Sequence, residues 1–382
     1  MNSRLGGNLS NVELEPRGTI LILTPESPEL LGGSEHFIRI TRSCLESRNY
    51  HVEVIHRANC GIPWKRRSQR KYVAYFQDVL IGYFIGRRAR QRISATGSNI
   101  AAVLSSANVG WYPLQRSIPQ LHLYHGTYRE QAEAIRPLIS TLGYLKQKWL
   151  DSMLLEWASG RNKLVLVNSD QTAREVQRYF GHHCRTVWCP LDTAHFRPLD
   201  KAECRRAMKI PDDRPVGLFV GNIHPMKGFP TVRALIDRLP EVHWVLALRG
   251  ELPASLLETA GVQVLHNVTY RDLPLLYASA DFSLSSSSYE PFGYVVAESL
   301  ACGTPVIATP GGASQLFLRE SPLRELLIMS ASNPEPFLAA IRHLLFNPSL
   351  YRDAVLRDAR PAIEALMSSS NWCRRFAEIS RL

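Results

Sequence analysis

The 382-residue sequence has no Cys-x-x-Cys pair. Its seven cysteines, at positions 44, 60, 184, 189, 204, 302 and 373, all stand alone. Isolated cysteines in odd number argue against a full disulfide framework and predict a reducing, cytoplasmic setting. No window nears the run of about 20 apolar residues that crosses a bilayer. The opening stretch MNSRLGGNLSNVELEPRG is polar and lacks the apolar core of a secretory leader. Solenoid repeats and low-complexity tracts are missing, as is the Gly-x4-Gly-Lys-Ser/Thr spacing of a Walker loop. Negative charge is scarce in one half only. Residues 1–195 hold 25 Lys+Arg against 15 Asp+Glu, whereas residues 196–382 hold 20 against 19. Nearly all of the net charge of +11 therefore belongs to the first half, which is the half expected to meet an anionic partner.

What the chain does have is a strand–helix alternation, run twice. GTILILTP, HVEVIH, IAAVLS, QLHLYH and LVLVNS read as short buried strands in the first half. PVGLFVGN, HWVLAL, VQVLHN, DFSLSS and TPVIAT repeat the theme in the second. Between them, SEHFIRITRSCLESR has helical spacing at Phe37, Ile40, Cys44 and Leu45, and SDQTAREVQRYF starts with a cap at Ser169 or Asp170. This predicts an α/β protein with two parallel sheets. The connector lies near PLDTAHFRPLD, between Pro190 and Pro198, dividing the chain into domains 1–195 and 196–364. Facing domains of this kind bind ligands in a cleft at the carboxyl ends of their strands.

Several residues sit where such a cleft would be. Lys227-Gly228 lies in the loop after LFVGN, where a lysine can neutralise a phosphate or simply be solvated. Gly32-Gly33 precedes a helix and could offer amides to an anion or form a plain turn. His125, before Gly126, could donate a hydrogen bond into the cleft or be structural. In YEPFGYVVAESLAC, Phe292, Gly293 and Tyr294 open a helix whose first amides and positive dipole end would stabilise a phosphate. Glu298, one turn in, suits the two hydroxyls of a ribose, while Glu290, before the turn, would reach a different group. Taken singly, both glutamates could instead be a solvated residue and a dipole-complementing one.

The stretch YEPFGYVVAESLACGTPVIATPGG resembles the E-x7-E signature of the retaining glycosyltransferases of family four, which have the two-domain GT-B fold. The likeness continues through Gly32-Gly33, His125-Gly126, VNSDQTAREV, Lys227-Gly228, LPLLYASAD and the final NWCRRFAEI. That last segment resembles the helix, within 365–382, that crosses back to complete the first domain. The sequence departs from the family at Gly221-Asn222, where Gly-Arg is usual. It departs again in the shortened connector Pro190-Leu191-Asp192, in LRGELP, which lacks the common Gly-x-Gly-Pro, and at Gln315, where Glu is frequent.

The resemblance implies transfer of a hexose from a UDP- or GDP-linked donor to a hydroxyl, with retention. Glu290, Lys227 and His125 would be catalytic, and Gly32, Gly33, Asn222, Phe292, Gly293, Tyr294 and Glu298 would bind the donor. The sequence contains no Asp-x-Asp, so a metal-bridged diphosphate lacks its usual ligands, and no metal or other cofactor is expected. The implied acceptor is a lipid-linked or anionic glycan of cell-envelope polysaccharide or lipopolysaccharide synthesis. Alternatives are a soluble aglycone acceptor, a donor epimerase, or a degenerate sugar-nucleotide-binding subunit. Residues 61–92 carry nine Lys+Arg and one acid around Tyr72, Tyr75, Phe76, Tyr83 and Phe84. This segment reads either as a core helix with solvated ends or as a contact with the inner face of an anionic membrane. Nucleic acid is not expected, because no nucleic-acid motif accompanies the charge.

Overall fold

The computed structural model describes residues 17–30, 32–62, 71–96, 99–249 and 259–382. The short apolar runs form two all-parallel sheets. The first contains β1 (Thr19–Leu23), β2 (His51–Ile55), β3 (Ile100–Ser106), β4 (Gln120–Tyr124), β5 (Leu164–Val167) and β6 (Cys184–Thr186), in the order β2-β1-β3-β4-β5-β6. The second contains β7 (Val216–Asn222), β8 (His243–Arg249), β9 (Val262–His266), β10 (Phe282–Ser285) and β11 (Val306–Ala308), in the order β11-β10-β7-β8-β9. The central strands are nearly unbroken runs of Val, Ile and Leu because helices cover both faces; β1 is buried at every residue. This is the expected α/β architecture of two GT-B-like halves.

The helix Gly33–Ser47 buries Phe37, Ile38, Thr41, Cys44 and Leu45. Its inner stripe is thus turned slightly from the expected one, with Ile38 inside and Ile40 only half-buried. The helix Asp170–Phe180 is capped by Ser169, whose Oγ accepts the Thr172 N–H at 3.1 Å, and it ends at left-handed Gly181.

The expectation drawn from the isolated cysteines needs one correction. Cys44 and Cys373 form a disulfide although 329 residues separate them in sequence. The final helix, Ser369–Ser380, returns to the first domain and lies against helix Gly33–Ser47, so the pair meets in space. There Phe37 meets Trp372 edge to face at 5.4 Å, and Trp372 Nε1 donates to the Trp188 carbonyl at 2.5 Å. The outward connector and the returning chain also touch, since the Leu191 N–H donates to the Met367 carbonyl at 2.8 Å.

Within 61–92, residues 63–70 and the side chains of 71–76 lie outside the described residues, and with them the first basic cluster. The helix Lys71–Thr96 presents Ile81, Ile85, Ala89 and Ile93 to the first sheet, all buried, while Arg87, Arg88 and Arg90 face solvent. A four-residue repeat of buried side chains is a core stripe. Among the described residues no helix is long and apolar enough to cross a membrane.

Candidate functional site

The carboxyl ends of both sheets face one another across a cavity of about 380 Å³. Gly32, Gly33, His36 and Arg39 line it from the first domain. Asn222, Lys227, Arg249, Tyr270, Glu290, Tyr294 and Glu298 line it from the second. Two roomier hollows, of about 710 and 590 Å³, lie elsewhere. One sits beside the Ala194–Leu199 connector and the other at the amino ends of the first sheet's strands. Neither gathers the residues singled out from the sequence, and neither lies where the strand-to-helix loops converge.

Lys227 is fixed by local geometry. After β7 the chain makes a single 3₁₀ turn, Pro225–Lys227, with the Met226 N–H donating to His224 Nδ1 at 3.1 Å. Gly228 follows at φ +72°, and a side chain there would collide with the Ser286 carbonyl, so only glycine lets this loop lie against β10. The Lys227 ammonium reaches across to donate to Glu290 Oε2 at 2.8 Å. The same oxygen accepts from Ser287 Oγ at 3.3 Å.

Beyond Glu290 the chain turns through Pro291-Phe292-Gly293 into the helix Tyr294–Ala301. Amides at the start of helix Gly312–Phe317 hold the turn: Ala313 N–H donates to the Phe292 carbonyl at 2.6 Å and Gly312 N–H to that of Glu290 at 3.3 Å. Gly293 caps the helix, and the Phe292 ring is buried, 5.1 Å from that of Tyr294. Neither Phe292 nor Gly293 lines the cavity; they shape the turn that does. Glu298 is 9% exposed, and its Oε2 accepts the Tyr277 hydroxyl at 2.7 Å. Burial raises its carboxyl to about 7, with the Tyr277 hydrogen bond and the nearby Arg249 charge opposing the rise.

His125 stands at the end of β4 with its ring edge-on to Phe37 at 5.3 Å. Its Nε2 is closed off from solvent and has no hydrogen-bond partner among the described residues. Burial lowers the imidazole to about 4, so it is neutral near pH 7. It does not line the cavity proper. Four cavity residues with polar side chains escaped the sequence reading: His36, Arg39, Arg249 and Tyr270. Arg39 is anchored by its own loop, with Nη1 donating to the Pro28 and Leu30 carbonyls at 2.7 and 3.0 Å. Its Nη2 lies 3.3 Å from His36 Nδ1, and burial, with Arg39 beside it, lowers His36 to about 4. Arg249 is the ladder partner of Asn222 across β7 and β8. The usual arginine position is therefore uncharged here, but its neighbour on the next strand is an arginine lining the same cavity. The signal for Arg249 was in the sequence, as the residue just before the altered Gly-x-Gly-Pro loop. That loop itself, 250–258, lies outside the described residues. Among the described residues no three His, Cys, Asp or Glu side chains gather as a metal site.

The chain matches two family models. Residues 31–195 match the one described as Glycosyltransferase Family 4, and residues 200–357 match Glycosyl transferases group 1. Among curated proteins it is 28% identical over 284 residues to a D-inositol 3-phosphate glycosyltransferase of Geodermatophilus obscurus, covering 66% of this chain and 60% of the relative. With the protein of that name from Mycobacterium tuberculosis H37Ra it shares 29% identity over 266 residues, covering 63% of this chain and 52% of the relative. It thus spans only about half to three-fifths of these relatives' length. Among solved structures, it superposes on a sucrose-phosphate synthase from Thermosynechococcus elongatus with a TM-score of 0.77 at 20% identity, covering 96% of this chain and 98% of that one. The Anabaena protein Alr3699/HepE in complex with UDP-glucose gives 0.69 at 16% identity, covering 96% and 100%. WaaG, a glycosyltransferase involved in lipopolysaccharide biosynthesis, gives 0.68 at 14%, covering 94% and 99%. At these identities the superpositions establish the shared two-domain fold.

Proposed function

The chain belongs to the group 1 and family 4 glycosyl transferases, and on that footing we propose that it moves a hexose from a nucleoside diphosphate donor to a hydroxyl acceptor, with retention. The observation that carries this reading is the convergence of Gly32, Gly33, Lys227, Glu290 and Glu298, from both domains, on one cavity. The diphosphate lies between the Gly32-Gly33 loop, the Lys227 ammonium and the amino end of helix Tyr294–Ala301. Glu298, once ionised, accepts both ribose hydroxyls. Glu290, held by Lys227, binds the donor sugar, and neutral His125, which lies behind the cavity wall, would have to turn its unpartnered Nε2 outward to meet a sugar hydroxyl. The acceptor oxygen bonds to the anomeric carbon on the face from which the diphosphate oxygen departs. That departing oxygen takes the acceptor's proton. Charge growing on the diphosphate is met by Lys227 and the helix amides, which are already in place. The chemistry needs no metal on this reading, since the sequence has no Asp-x-Asp.

For the acceptor, we propose a lipid-linked or anionic glycan met at a membrane surface, as in cell-envelope polysaccharide or lipopolysaccharide synthesis. The basic first half supports this. So does an apolar ridge of Leu142, Leu145, Trp149 and Leu154, all exposed, on the helix Thr141–Leu145 and its π-helical continuation Lys146–Glu156. The i→i+5 bonding of that continuation keeps residues four and five apart on one face. The test is nucleotide release from UDP-glucose and GDP-mannose, with and without excess chelator and candidate acceptors. Release should persist in chelator and rise with acceptor. Release that chelator abolishes and Mg²⁺ restores would refute the metal-free mechanism, and conversion of the donor with no release would identify an epimerase.

A further inference from the structure

A buried hydrogen-bond cluster joins the two domains on either side of Glu290. Tyr289 sends its ring from the second domain into the first. Its hydroxyl donates to Glu175 Oε2 at 2.8 Å and accepts the Thr127 N–H at 2.9 Å. Thr127 Oγ1 donates to the same carboxylate oxygen at 2.9 Å, and Gln171 Nε2 donates to the other at 3.1 Å. Tyr289, Thr127 and Glu175 are all buried. On the other side of Glu290, Ser169 Oγ donates to the Pro291 carbonyl at 2.6 Å. The fit is close: at Gly126, φ +139°, any side chain would run into Pro291 and the Tyr289 hydroxyl.

We propose that Tyr289, Glu175, Thr127 and Ser169 form a latch that closes the cleft and, in closing, seats the Glu290 turn. They are positioning residues: none lines the cavity, yet the first domain grips both neighbours of Glu290. With the cleft open, the Tyr289 hydroxyl, the Thr127 N–H and the Ser169 hydroxyl return to water and lose little, since water replaces each bond that crosses between the domains. With it closed, the Glu175 carboxylate is dry and depends on its three donors, so deleting one leaves a buried charge short of a partner. Burial raises the Glu175 carboxyl overall, with those three hydrogen bonds opposing the rise and the Glu130 charge adding to it, so a lost donor is felt directly at this carboxyl. What Glu290 does in the seated state rests on the transferase reading; the latch itself does not.

The Thr127 amide reports the latch directly, because its acceptor belongs to the other domain. Hydrogen exchange at that amide is compared in the full chain and in Tyr289→Phe, each alone and with saturating UDP-glucose. Tyr289→Phe is expected to exchange at least about tenfold faster. Its turnover should fall roughly tenfold to a hundredfold at unchanged UDP affinity, because a buried bond to a charge is lost outside the nucleotide cavity. Glu175→Gln, which keeps an oxygen for the Tyr289 hydroxyl, should stay near the parent on both measures. If Tyr289→Phe does not fold, Ser169→Ala carries the test, with an expected loss of turnover of roughly threefold to tenfold. Faster exchange at Thr127 in a chain that turns over no nucleotide sugar would keep the latch and overturn the transferase reading. Parent-like exchange and turnover in Tyr289→Phe would overturn the latch.

Discussion

Glu298 carries a penalty that its ligand should remove. Its carboxyl is raised from 4.5 to about 7, mainly by burial, and that gap corresponds to about 3 kcal/mol. The folded-state value lies above the unfolded one, so the penalty is absent below about pH 4.5. It grows as pH rises toward 7 and is complete above that. Glu298→Gln keeps an acceptor for the Tyr277 hydroxyl, which sits 2.7 Å away, but never ionises. The ligand-free variant should therefore match the parent near pH 4.5 and exceed its stability by up to about 3 kcal/mol at pH 8.5, measured by urea unfolding. A donor ribose offers two hydroxyl donors to the carboxylate and so favours the ionised form. UDP-glucose, whose diphosphate does not titrate near pH 6, should then release close to one proton on binding at pH 6 and close to none at pH 9. Calorimetry in buffers of different ionisation enthalpy reads this number. His36 and His125 are lowered to about 4 and contribute little in that window. Equal proton release by Glu298→Gln and the parent at pH 6 would refute the assignment of Glu298 to the ribose.

The two carboxylates should also separate by ligand. Glu290→Ala should leave UDP affinity nearly unchanged while abolishing transfer, whereas Lys227→Ala should weaken both UDP and donor by about 1.5–3 kcal/mol, the range of a charge-assisted contact; titration calorimetry beside a transfer assay checks both. At the surface, Leu145→Ser with Trp149→Ser should reduce co-sedimentation with anionic liposomes several-fold at low salt without lowering the melting temperature, since both side chains are exposed. Unchanged co-sedimentation would remove the ridge from the membrane reading.

The parts of the cleft that were legible in the sequence are those that a loop imposes on the chain. Glu290, Lys227 and Gly32 each sit between a strand's end and a helix's start, where glycine and proline fix the backbone, so type and spacing disclosed them. His36 and Arg39 lie within a regular helix, where an arginine or histidine looks like any solvated face; only the approach of the second domain makes them cavity residues. The helix Lys71–Thr96 shows the reverse problem. Its buried stripe of Ile81, Ile85, Ala89 and Ile93 is interleaved with arginines, so the composition looked interfacial while half of the helix is core. The Cys44–Cys373 pair could not be read at all, because a contact across 329 residues leaves no local trace.

The chain passes between its two halves twice, and the two passages lie side by side, bonded where Leu191 meets Met367 and Ser368. A body held by one thread can swing and twist in any direction, but one held by two adjacent threads can only fold about the line they define. The halves are therefore joined like the covers of a book with its spine between residue 191 and residue 368. A closure about that line would return Gly32 to the same place opposite Glu290, with no search over orientations. The cross-link from Cys373 to Cys44 fastens the second passage to the first cover, so the spine cannot creep. A cleft built this way trades breadth of motion for repeatability, which is what a reaction needs when its groups come from opposite halves.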